Sequence, residues 1–280
     1  MDINAYLLKA IQASIQAGQA ILDVYHSDFT VDYKTDSSPL TLADKRSHEV
    51  IVKHLSEFDI PILSEEGKNI PYAERKTWNQ LWIVDPLDGT KEFVKRNGEF
   101  TVNVALVENH KPLMGVIFVP DKNVLFFAAD GLGTYKLDIN LSPEVLESNQ
   151  SNKNQEERLN EILELADRLP ANHSPLPVYT IVGSRSHQTP ELKAYIEEKR
   201  KELGDIEFIA AGSSQKFCVV AEGRANIYPR LGPTMEWDTA AGQAIAENAG
   251  AKVIRYDNQQ PLTYNKEDLY NPYFIVKRAS

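Results

Sequence analysis

With 280 residues, 42% of them hydrophobic and 25% charged, the chain has an ordinary globular composition, large enough for one large or two modest domains. Its formal charge of -10 argues against a general nucleic-acid binder and admits a small anionic ligand only where metal ions or local cations offset the acidity. No apolar run reaches the about 20 residues of a bilayer span, MDINAYLLKAIQASIQAG lacks the parts of a signal peptide, and the single cysteine, Cys218, excludes an internal disulfide and fits a reducing cytoplasm.

Ile3, Leu7, Ile11, Ile15, Gly18, Ile21 or Leu22 and Tyr25 recur at three- and four-residue steps, which predicts a first amphipathic helix. A second is expected to begin near Thr41, a good N-cap after the extended Ser38-Pro39 pair, with Ile51, Leu55 and Phe58 as its inner stripe. Seven residues before Ile51 stands Asp44, which the same periodicity turns inward in the helix's first turn. An acid there favours the helix dipole, yet a core-facing position is unusual for that role.

Between residues 81 and 137 short apolar runs succeed one another: LWIVD, FTVNVALVE, PLMGVIFV, VLFFAAD and GTYKL. Turn residues at Asn109-His110, Pro120-Asp121-Lys122-Asn123 and Asp130-Gly131 separate them and predict an antiparallel meander. Residues 141–176 are polar, with a short amphipathic helix expected at ERLNEILELADRL, and read as a linker or surface insertion. After residue 177, strand-like VYTIVG, IEFIAAG, ANIYP and AKVIRY alternate with helices near 190–203, near 213–222 and from 238. That alternation favours an α/β layer. The expected organisation is an N-terminal α+β domain over 1–140, a connection over 141–176 and a C-terminal α/β domain over 177–280, with a cleft between the halves.

Acidic residues mark the candidate chemistry. Asp85 and Asp88 end the apolar run LWIVDPLDGT, Glu65 and Glu66 follow PIL in a turn, and Asp238 starts an Ala-rich helix with Gly242, Ile245 and Ala249 inward. Asp238 alone reads first as an N-cap, and Glu65 and Glu66 alone as solvated loop acids. DPLDGT resists such an explanation. Pro86 stiffens the chain, Gly89 permits a tight turn, and together they would bring two carboxylates and the Leu87 carbonyl to one side. Oxygen donors of this kind suit a hard cation, magnesium above all. The spacing is not that of an EF-hand, and no HExxH or CxxC pattern offers zinc a site. Cys218, in the apolar KFCVVAEG, reads as a small buried hydrophobe.

DPLDGT at 85–90 followed by WDTAAGQAI at 237–245 resembles the paired signature of the inositol monophosphatase-like superfamily of magnesium-dependent, lithium-sensitive phosphatases. The segments DPLDGTKEFVKRNGEFTVNVAL, GSRSH, AGSSQKFCVVAEGRANIYPR and GPTMEWDTAAG are similar to its 3'(2'),5'-bisphosphate nucleotidase branch, and the likeness runs from SPLTLAD at 38–44 to NPYF near the end. It implies a layered α/β/α/β/α sandwich. It also implies two or three magnesium ions, with Glu65 as a ligand, Asp85 bridging two ions, the Leu87 carbonyl on one, and Asp88 and Asp238 on the other. Between Glu65 and Glu66 the spacing itself does not choose. Thr90 and Asp44 match the pair that orients and deprotonates the attacking water, and two metals would clamp the attacking and leaving oxygens. Gly89 and Thr90 offer backbone N–H groups to phosphate oxygens. For the second anionic group the matching residues are Ser213, Lys216, His187 and Arg230; Lys216 reads otherwise as a solvated helix residue and His187 as a loop or capping group.

The resemblance thus implies hydrolysis of the 3'-phosphate of adenosine 3',5'-bisphosphate, and of its sulfated form, with a small phosphorylated nucleotide as ligand and lithium as inhibitor. An inositol or broader sugar phosphatase is the alternative, and a silent nucleotide- or metal-binding protein the alternative of another class. A cytoplasmic location is expected. Peripheral attachment to the inner membrane face, and a monomer or a homodimer, stay open.

Overall fold

The computed structural model describes residues 2–33, 39–141, 154–170, 174–184 and 189–278. The first helix, α1 (Ile3–Tyr25), begins where the Asp2 carboxylate accepts the Ala5 N–H at 3.1 Å, and it buries Leu7, Ile11, Gly18 and Ile21. Gly18 marks its closest approach to the neighbouring sheet: a Cβ there would lie 2.3 Å from the Phe118 ring. A hairpin of β1 (Val31–Tyr33) and β2 (Pro39–Thr41) leads into α2 (Leu42–Leu55). Thr41 caps α2, and Asp44 reaches back to the Thr41 N–H to complete a capping box. Asp44 is nevertheless only 2% exposed, so it is both the first-turn acid and the inward residue that the periodicity predicts.

Next come β3 (Ile62–Ser64), α3 (Tyr72–Arg75), β4 (Gln80–Asp88), α4 (Thr90–Val94), β5 (Thr101–Glu108), β6 (Lys111–Val119), β7 (Val124–Ala129) and β8 (Gly133–Asp138). The strands β4 to β8 form the expected antiparallel meander. β3 extends it at one edge, parallel to β4. At the other edge the stretch read as a linker or surface insertion contributes a helix and a strand. Its expected helix, α5 (Gln155–Leu165), buries Leu159 and Ile162 against the α1 core, and β9 (Asp167–Leu169) pairs with β8 as the seventh strand. Residues 142–153 and 171–173 lie outside the described part.

The second sheet follows from β10 (Tyr179–Gly183), α6 (Pro190–Leu203), β11 (Ile206–Ala210), α7 (Gln215–Ala221), β12 (Ile227–Arg230), α8 (Ala240–Asn248), β13 (Lys252–Arg255) and β14 (Phe274–Lys277). Its order is β11-β10-β12-β14-β13, with β10 parallel to both neighbours and the β14 pairings antiparallel.

Strand alternation sorts the core into layers. On β5, Val102, Val104 and Leu106 face the cluster of α1, α2 and α5, whereas Ala105 and Val107 face the cluster built on α7 and α8. Tyr195 of α6 packs with Ile181, Ile227 and Ile275 on the outer face of the second sheet. The result is the layered α/β/α/β/α sandwich. Cys218 is 1% exposed in α7, where burial pushes its thiol pKa well up, as suits a buried hydrophobe. Among the described residues no helix is long and apolar enough to cross a membrane.

Candidate active site

Two residues three apart on a regular strand point to opposite faces. β4 avoids this by slipping its register: Asp85 pairs with Asn103 and Asp88 with Thr101, three steps against two, so a bulge forms at Pro86-Leu87. Asp85 continues the face of Leu81 and Ile83, toward α7 and α8. The extra residue brings Asp88 to the same side. Asp85, Asp88 and Asp238 offer carboxylate oxygens that all lie within 4.8 Å of one another. The chain then turns at Gly89, φ +91°, where a Cβ would stand 2.1 Å from Ser213 Oγ, and α4 opens at Thr90.

The other acids come from different elements. Asp238 closes a short 3-10 turn, Glu236–Asp238, instead of starting the Ala-rich helix, which begins at Ala240; its carboxylate accepts the Met235 N–H at 2.8 Å. Glu65 and Glu66 sit in the turn after β3, closed by the Gly67 N–H on the Ser64 carbonyl at 3.0 Å. Glu65 lines the cleft with Asp88 and Asp238 and lies in hydrogen-bonding contact with Asp85. Glu66 instead adds its charge to the surroundings of Asp44 and His48. The geometry thus separates two adjacent acids that the sequence could not.

Burial holds the Asp85 carboxyl well above the usual range, and the charges of Glu65, Asp88 and Asp238 push it the same way. Asp238 rises to about 7, through burial first and Asp88 second, against the stabilising Met235 N–H. Carboxylates that raise one another's proton affinity have the donor set and the unbalanced charge that a hard cation satisfies. The residues therefore fit magnesium.

Beside the cluster, the Thr90 hydroxyl donates to Asp44 Oδ1 at 3.1 Å and lies 3.3 Å from the Leu87 carbonyl oxygen. Asp44 Oδ2 accepts both the N–H and the hydroxyl of Thr41 at 2.7 Å. Burial raises the Asp44 pKa; the Thr41 and Thr90 hydrogen bonds counter it, and Glu66 adds to it.

The cleft continues past Lys91, Ser184, Lys216, Tyr228 and Arg230. Lys216 is buried, its Nζ donating to the carbonyls of Ser213 and Ala211 and standing 5.7 Å from the Tyr228 ring centroid. Burial lowers its pKa to about 8, with Asp88 opposing, so Lys216 is a desolvated cation and not a solvated helix residue. Arg230 donates to the Pro233 carbonyl at 2.7 Å. Ser213 lines the cleft, but its hydroxyl sits 2.9 Å from the Asp88 carbonyl oxygen and 2.8 Å from that of Glu99, which turns it to the loop backbone. His187 lies outside the described residues.

Thr101, Asn103 and Ser214 escaped the sequence reading. Ser214 Oγ lies 2.9 Å from Asp88 Oδ2 and 2.8 Å from the Asp238 carbonyl oxygen, and it accepts the Asn103 side-chain N–H at 2.9 Å. Their signals are the polar Thr101 and Asn103 inside an apolar run and the doubled serine at 213–214.

Known proteins carry the same arrangement of sequence. The description "Inositol monophosphatase family" matches residues 4–273. The 3'(2'),5'-bisphosphate nucleotidase CysQ of Escherichia coli K12 is 42% identical over 270 residues, 95% of this chain and 96% of that protein. Its Haemophilus influenzae counterpart is 32% identical over 99% of this chain and 94% of its own length. Among solved structures, CysQ from Bacteroides thetaiotaomicron, a bacterial member of the inositol monophosphatase family, superposes with a TM-score of 0.88 at 48% identity, covering 99% of this chain and 98% of that one. The Thermotoga maritima IMPase shares the fold at 22% identity, with a TM-score of 0.71 over 99% of this chain and 92% of that one.

Proposed function

The chain belongs to the inositol monophosphatase family, and from that premise we propose that it is a magnesium-dependent phosphomonoesterase removing the 3'-phosphate of adenosine 3',5'-bisphosphate. The products are AMP and phosphate, and the sulfated nucleotide is a second substrate. One observation carries the proposal. Glu65, Asp88, Asp238 and Thr90 line one cleft together with Lys91, Lys216 and Arg230, so acids that could hold metal and cations that could hold an anion face the same space. A phosphomonoester suits the acids once metal offsets their charge, and a second phosphate on the same small molecule suits the cations.

In this reading Glu65, Asp85, Asp88, Asp238 and the Leu87 carbonyl would hold two or three magnesium ions. When bound, magnesium supplies positive charge to the phosphate oxygens and acidity to nearby water. The chain's own proton acceptor is the Thr90 hydroxyl. As it takes the proton of an attacking water, its own proton passes to Asp44 Oδ1, so the carboxylate is the final acceptor. Thr41 holds Asp44 from the opposite side, so the pair is oriented before substrate arrives. The Gly89 and Thr90 N–H groups hold phosphate oxygens at the turn into α4, while Lys216, Arg230, His187 and the Ser213 segment take the second anionic group. Lithium, a small hard cation, competes for the same carboxylate oxygens.

The proposal is tested by phosphate release from adenosine 3',5'-bisphosphate, its sulfated form and inositol 1-phosphate at one magnesium concentration, with and without chelator. Preference for the bisphosphate and silence in the chelator are expected. A preference for inositol 1-phosphate overturns the nucleotide assignment, and turnover that persists in the chelator overturns the metal mechanism.

A further inference from the structure

The buried side chains Thr101, Asn103 and Ser214 form a continuous file that ends on two of the acids. The Thr101 hydroxyl donates to Asn103 Oδ1 at 3.0 Å, and Asn103 Nδ2 donates to Ser214 Oγ at 2.9 Å. Ser214 Oγ in turn meets Asp88 Oδ2 at 2.9 Å and the Asp238 carbonyl oxygen at 2.8 Å. All three side chains are at least 98% buried, so no bulk water substitutes for a missing partner. The register places Thr101 opposite Asp88 and Asn103 opposite Asp85, which sets the file directly beneath the bulge.

A hydroxyl carries one proton, and this decides the direction of the file. Because Ser214 accepts from Asn103, its proton is free for the acids. The Asp88 carboxylate attracts it more strongly than the neutral Asp238 carbonyl does. With the Asn103 amide turned over, its oxygen would take the Ser214 proton. Asp88 Oδ2 and the Asp238 carbonyl would then both face lone pairs. That loss is what holds the amide as it stands, and the Thr101 hydroxyl, able to donate or accept, satisfies Asn103 Oδ1 in that orientation.

We propose that Thr101 and Asn103 are positioning residues that act through Ser214: Asn103 donates to it and leaves its proton for Asp88, Thr101 satisfies the Asn103 amide oxygen, and the file so holds the Asp88 carboxylate in place within the acid cluster for magnesium. The inference rests on the metal-dependent reading above. Thr101 touches none of the acids with its side chain, yet its hydroxyl satisfies the Asn103 oxygen and so steadies the amide that supports Ser214. That makes Thr101 the sharpest place to test the idea.

Calorimetric titration of the substrate-free protein with magnesium is the direct measurement, alongside the magnesium half-saturation of turnover. Thr101→Val, close in shape, is expected to weaken magnesium binding about 10-fold, and Asn103→Ala about 10–100-fold, the range typical of partners that orient metal ligands. Thr101→Ser restores wild-type binding, because only the hydroxyl matters. The nucleotide KM at saturating magnesium stays within about 2-fold, since neither residue lines the cleft. If Asn103→Ala fails to fold, the two Thr101 variants decide. Wild-type affinity in Thr101→Val, even with a lowered Tm, overturns the inference, as does a Thr101→Ser protein no better than the valine variant. A wild-type protein that itself takes up no magnesium overturns the metal-dependent reading, and this inference with it.

Discussion

Magnesium binding is predicted to weaken at least about 10-fold when the pH falls from about 8 to about 6. The reason is the proton that Asp238 gives up. Its folded pKa of about 7 means that roughly nine-tenths of the molecules carry the charged form at the higher pH and about one-tenth at the lower. Asp85, also raised, strengthens the dependence in the same direction. The metal-free protein follows the opposite sign. Because the folded pKa lies above the ordinary value of 3.8, the fold holds the proton more tightly than the unfolded chain does. This group's contribution to stability therefore grows as pH falls from above about 7 toward 3.8. Asp238→Asn isolates the effect: it removes one like charge, raises the metal-free Tm at pH about 8 by at least about 2 °C, and abolishes the Tm gain on adding magnesium. The assays are calorimetric magnesium titrations at the two pH values and thermal melts of both proteins with and without magnesium. Equal magnesium affinity at both pH values, within about 2-fold, refutes the reasoning. So does a metal-free Asp238→Asn protein no more stable than wild type at the higher pH.

Three substitutions probe other parts of the site. Asp85→Asn keeps shape but removes the charge at the centre of the cluster, and phosphate release at saturating magnesium is expected to fall at least about 100-fold; wild-type turnover would contradict a shared ligand. Thr90→Val should lower kcat by about 10²–10⁴ while leaving the magnesium half-saturation near wild type, with Thr90→Ser retaining most activity. A valine variant that loses magnesium and not kcat would reassign Thr90 to metal binding. Gly89→Ala forces a side chain into φ +91° and against Ser213 Oγ, and should cost about 1–3 kcal/mol, read as a drop in denaturation midpoint; an unchanged midpoint means the turn relaxes freely.

What the sequence disclosed followed from local rules. The stripe of α1, the Thr41 cap and the meander runs each depend on neighbours within a few positions, so periodicity and turn chemistry found them. DPLDGT was legible as a candidate cation site because Pro86 and Gly89 sit beside the acids they shape. Strict alternation, however, would have sent Asp85 and Asp88 to opposite faces, and only the pairing with β5 reveals the bulge that unites them. Asp-Arg-Leu at 167–169 becomes a strand through its partner β8 and not through any pattern of its own. Ser214 and Asn103 are 111 residues apart, and nothing local connects a serine before a helix with an asparagine in an apolar strand. Ser213 shows the converse, for its place in a doubled serine says nothing about the two carbonyls that engage its hydroxyl.

Packing of the elements that carry the acids does much to hold their spacing. Asp85 and Asp88 ride on β4, where Trp82, Ile83 and Val84 are buried between two layers. Asp238 precedes α8, which lies directly on β6: a Cβ on Gly115 would come within 2.5 Å of the Ala241 carbonyl oxygen. Moving α8 away from the sheet to relieve the repulsion would open voids along that contact, and cores resist voids. Hydrophobic burial in the middle layer thus holds like charges within 4.8 Å of one another, at a cost that protonation or a cation relieves. The same rigidity explains why one substitution can act in two directions. Asp238→Asn lightens the repulsion that the metal-free fold must bear, and by doing so removes the charge that made the place attractive to magnesium.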